Sequence, residues 1–83
     1  MSKIISETEA NKIRDLRSQT PETDWMCEGA DDNQLVFFNN AEDKLFYADY
    51  YGNITANPDD VVITPVLKRF IDIETEIARI CYL

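Results

Sequence analysis

Histidine is missing from these 83 residues. The side chain whose unperturbed pKa lies nearest neutrality is therefore unavailable. So are the Ser-His-Asp and Cys-His nucleophile arrangements and every zinc site that uses imidazole. Glycine is almost as scarce: with only Gly29 and Gly52, no glycine-rich loop can cradle a phosphate. Cys27 and Cys81 are too few for a disulfide framework and have no metal-ligand spacing, so two reduced thiols in a cytoplasmic protein are expected. No apolar run is long enough to span a membrane. The first residues carry no basic stretch followed by the apolar run of a secretory signal. Without a secretory signal, the glycosylation pattern Asn53-Ile54-Thr55 reads as part of a turn.

These absences weigh against catalysis. An enzyme would have to use a carboxylate pair with a tyrosine, or Cys27 as nucleophile. Cys27 follows Trp25 and Met26 in a strand-like stretch and reads as buried and inert. No enzymatic activity and no cofactor are expected. A chain this short buries only about 60% of the surface its unfolded form exposes, so a deep cleft would be costly and a shallow binding surface is favoured. One compact domain over residues 1–83 is expected.

Two helices bracket a strand-forming middle. Ser6 followed by Glu9 is a capping box, with Ile5 and Ala10 as a weak hydrophobic staple. The first helix should run from Glu7 to Ser18 or Gln19, with Ala10, Ile13 and Leu16 as its apolar stripe, before Pro21. Strand signals follow at 25–28, at 35–38 and at 45–51, with Asn39 to Asp43 as a hairpin loop and Gly52-Asn53 as a turn before Ile54-Thr55-Ala56. Thr64-Pro65 is an N-cap with proline at the first helical position. The stripe Val66, Phe70, Ile73, Ile77 and Ile80, widened by Leu67, Ile71 and Cys81, predicts a core-facing second helix. Asn57-Pro58-Asp59-Asp60 is also a good helix start, so 61–63 is read as a short helical turn in preference to an edge strand. The fold class is α+β: a small two-layer domain with an N-terminal helix, an antiparallel sheet of three or four strands and a C-terminal amphipathic helix.

What the chain has in excess is negative charge, and it is segregated. Sixteen acids face eight bases, for a net charge of −8. Residues 21–60 hold ten of the acids and a single base, Lys44, whereas both helical ends are close to neutral. The same segment holds seven of the nine aromatics. Alternation puts Leu45, Tyr47 and Tyr51 on one face of their strand and Phe46, Ala48 and Tyr50 on the other. Likewise Leu35 and Phe37 stand opposite Val36 and Phe38. Both sheet faces are therefore apolar, and helices on one would leave aromatic surface on the other. Aromatics rimmed by carboxylates have the composition of a protein-binding patch. Trp25, Glu28, Asp31, Asp32, Glu42, Asp43, Tyr47, Asp49 and Tyr51 are the expected contact residues. The bland reading is a charged surface that aids solubility, with tyrosines reaching their hydroxyls out from the core.

The expected function is a small acidic inhibitor or antagonist that docks on a basic protein surface, such as that of a nuclease, toxin or DNA-binding protein. One form is a nucleic-acid mimic, whose carboxylates would form a row spaced about as phosphates are. In size and charge the chain is similar to phage or mobile-element inhibitors and to toxin-neutralising immunity proteins. The alternative is a structural or assembly subunit, a homodimer being its simplest form. Direct nucleic-acid binding is not expected, because stacking platforms sit beside bases, and acids surround these aromatics. The pairs Asp31-Asp32, Glu42-Asp43 and Asp59-Asp60 offer hard oxygen ligands, but without EF-hand spacing they read as solvated turns, and no metal is expected.

Overall fold

A computed structural model describes residues 4–30, 33–56 and 60–83. The expectations for Asp31, Asp32, Asn57, Pro58 and Asp59 lie outside the described residues. The elements run α1 (Glu7–Ser18), β1 (Met26–Ala30), β2 (Gln34–Asn39), β3 (Lys44–Asp49), β4 (Ile54–Ala56) and α2 (Pro65–Tyr82). The four strands form one antiparallel sheet in sequence order, a meander flanked by helices, which is the α+β arrangement the sequence predicts.

Both helix starts form as their sequences dictate. The Ser6 hydroxyl accepts from the Glu9 amide at 3.1 Å, and the Glu9 carboxylate accepts from the Ser6 amide at 3.1 Å. This satisfies two amides that the first turn leaves without helical partners. At α2 the Thr64 hydroxyl accepts from the Leu67 amide at 3.1 Å, with Pro65 at the first helical position. The stretch 61–63 departs from the expected helical turn: it is neither helix nor strand, and Val61 is buried.

The strands alternate as half-buried strands do, and the register decides which face is which. Leu35 pairs with Ala48 and Phe37 with Phe46. All four are buried, and they form one core with Leu67, Phe70, Ile71 and Ala78 of α2. Phe37 and Phe46 stack at 5.0 Å between ring centres, and Phe70 meets Phe37 edge-on at 5.9 Å. Both helices lie on this side. α1 runs antiparallel to α2, with Lys12 paired to Glu76, Arg17 to Glu74, and Gln19 accepting from Arg69 at 2.7 Å. Ile73 and Ile77 of α2 are buried, while α1 itself buries no residue fully. Val66, expected on the core stripe, is exposed.

Candidate interaction face

Among the described residues, neither helix covers the other side of the sheet. Its side chains are fixed by the same register: Met26, Phe38 and Leu45 form one row across three strands, and Glu28, Val36 and Tyr47 form the next. Met26 and Leu45 are 55% and 45% exposed, and Val36, Phe38 and Tyr47 are half-buried. Gln34 closes the far end, donating to the Thr55 hydroxyl at 3.2 Å. Glu28 and Asp49 are the charged residues of this face, and both are acids. Lys44 stands in phase with Phe46, on the helical side. The described bases other than Lys44 belong to α1 and α2. The molecule is thus two-faced, with base on the helical layer and an apolar, acid-edged surface on the open one.

The structure divides the expected contact residues. Glu28 and Tyr47 share a row of the open face. Trp25 does not join them on that face. Its ring lies 5.2 Å from Phe46 and packs against the core from the helical side. There it lines two shallow clefts, one with Glu22, Asp24 and Phe70, the other with Glu42, Lys44 and Asp60. Tyr51 also leaves the predicted face. β3 ends at Asp49, so the alternation stops before it, and the Tyr51 ring sits in the turn with the Arg79 guanidinium 5.4 Å from its centre. It remains 69% exposed.

Two of the acids build turns. The Asp49 carboxylate accepts from the amides of Tyr51 at 2.8 Å and Asn53 at 2.9 Å and from the Asn53 side chain at 2.9 Å. These bonds, those from Asn53 first, hold its pKa below the ordinary aspartate value. The tight turn places Gly52 at φ +86°, a conformation that glycine adopts without strain. At the opposite end, Glu42 bonds twice to buried Asn39: its amide donates to Oδ1 at 3.1 Å and its carboxylate accepts from Nδ2 at 3.2 Å. Asp43 follows at φ 55°, a left-handed conformation that aspartate tolerates better than most residues. The lowered pKa keeps Asp49 charged, so it contributes to the field around the sheet while its geometry is committed to the fold.

Sequence reasoning passed over Met26, Val36, Phe38 and Leu45 as contacts. The signal was present in Glu28: a charged residue in mid-strand points away from the core, and every side chain in register with it lies on the open face. Among the described residues no cluster of potential metal ligands occurs, and no helix is long and apolar enough to cross a membrane. Compared with known proteins, the chain matches no family model, no curated protein and no solved structure.

Proposed function

We propose that this chain is a protein-binding protein that docks its open sheet face on a basic surface of a target and so acts as an inhibitor or antagonist. The observation that carries this reading is the uncovered row of Met26, Phe38 and Leu45 beside Val36 and Tyr47, edged by acids and free of bases among the described residues. Apolar contacts at the centre would supply short-range energy, while the charge concentrated in residues 21–60 would speed encounter with a positive partner. A nuclease, toxin or DNA-binding protein has such a surface, and occupying it would exclude the natural ligand. The nucleic-acid-mimic form is not the version we favour. The described acids of the sheet region stand in the loop before β1, at an edge and in the turns, which is not a row along one face.

The test is affinity capture from host lysate at low and high salt with three baits: the wild type, Phe38→Ser on the open face, and Lys68→Ser on exposed α2. A basic protein held at low salt by the wild type and Lys68→Ser, released at high salt and lost with Phe38→Ser, would support the reading. Capture indifferent to Phe38 would overturn it. A bait that instead forms a stable oligomer through this face would favour the competing role of assembly subunit.

A further inference from the structure

We infer that the occupant of the open face is an amphipathic helix of the partner, apolar along one side and flanked by lysine or arginine. This rests on the docking reading above and specifies what fits there. Four strands spaced about 4.8 Å apart give a face about 14 Å wide, and strands of six residues make it about 20 Å long. An α-helix with its side chains is about 10–12 Å across, and about 13 residues cover 20 Å. One helix laid along the strands therefore covers the apolar rows. The opposite side of the same sheet already demonstrates this packing, where α2 covers Leu35, Phe37, Phe46 and Ala48. On the open side Met26, Val36, Phe38, Leu45 and Tyr47 offer an equivalent apolar seat in register.

Charge selects among the helices that could sit there. Glu28 lies on edge strand β1, Glu42 and Asp43 stand in the β2–β3 turn, and Asp49 marks the other end of β3. Acids thus border the seat, and cations flanking an apolar stripe would reach them as the stripe meets Phe38 and Leu45. A second copy of this chain would bring Glu28 and Asp49 against the same acids, so like charge disfavours it as occupant.

The experiment titrates the full chain, labelled for NMR, with three peptides of about 14 residues. One has leucine and lysine at helical spacing, one has the same composition in strict alternation, and one is a leucine–glutamate helix. The first should bind with shifts centred on Met26, Glu28, Val36, Phe38, Leu45 and Tyr47, and the other two at least about tenfold more weakly. Leu45→Asp should weaken the first peptide by about tenfold or more. That variant adds negative charge, so simple attraction to an acidic protein would strengthen binding instead. Retained folding is checked in the same spectra, and Met26→Asp serves as an independent second variant at an equally exposed site. Shifts centred on the helices or turns, equal binding of the alternating peptide, or unchanged binding by the folded variants would overturn the proposal. So would dimerisation of the free chain through this face. If lysate capture depends on Phe38 yet the peptides show no helical preference, only the helical form of the partner fails. If capture is indifferent to Phe38, the docking reading fails with it.

Discussion

Cys27 shows how packing decides what a reactive side chain can do. It faces the helical layer and lines a cavity of about 200 Å³ between β1 and α2 with Arg17, Glu74 and Cys81. Burial first, and then the negative charge of Glu74, push its thiol up to about 12 from an ordinary 9.0. The thiolate is the reactive form, so native Cys27 should resist alkylation. Iodoacetamide at pH 8, followed by peptide mass spectrometry, should label Cys27 more than about tenfold more slowly in the folded chain than in denaturant. Equal rates would contradict the burial. The sign of the linkage also follows. The folded value lies above the unfolded one, so this group's contribution to stability is complete below about pH 9 and is lost as pH rises toward 12. Fluorescence of the single tryptophan, Trp25, 5.2 Å from Phe46 in the core, can follow that loss.

At the scale of elements, α1 is the weak member. It buries no residue fully and is tied to α2 by the pairs Lys12–Glu76 and Arg17–Glu74. Its amides should exchange with solvent before those of α2 and the central strands. Arg17 is half exposed, but the Glu74 carboxylate it pairs with is only 9% exposed. Removing the cation strands a buried charge. Arg17→Met should therefore cost about 1–2 kcal/mol in chemical denaturation, below the cost for a fully buried pair because water screens Arg17. Adding Glu74→Gln should restore part of that loss, and no recovery would mean that Arg17 acts through packing alone. The elements themselves were legible because their signals are local: Ser6 with Glu9, Thr64 with Pro65, and the apolar periodicity of the last helix. What sequence could not reveal was set by tertiary contact. Val61 is drawn into the core and 61–63 forms no helical turn, and Arg79 holds Tyr51 beside α2 after β3 has already ended. Alternation in β2 and β3 is apolar in both phases, so it does not choose the covered face. Only pairing with Glu28 on β1 breaks that symmetry, and it places Val36, Phe38, Leu45 and Tyr47 together on the open face.

For the whole molecule, the separation of charge from apolar contact makes the docking reading testable by kinetics. The sheet region carries the whole of the negative excess, and the open face carries the apolar rows. Long-range attraction acts on encounter, whereas apolar contacts act after the surfaces have met and water has left. Neutralising Glu28, and separately Asp24 in the loop before β1, should slow association with the captured basic partner and flatten its dependence on salt, with little change in dissociation. Phe38→Ser or Tyr47→Ala should do the reverse, raising the dissociation rate by about tenfold or more while association stays within a few-fold. Asp24 lines the cleft beside Trp25, away from the open face, so it separates a field effect from a contact effect. If Asp24→Asn accelerates dissociation as strongly as Phe38→Ser, the partner engages the Trp25 cleft instead of the open face. If neither class of variant changes either rate, the acids and the exposed apolar rows serve solubility and packing, and the docking reading is wrong.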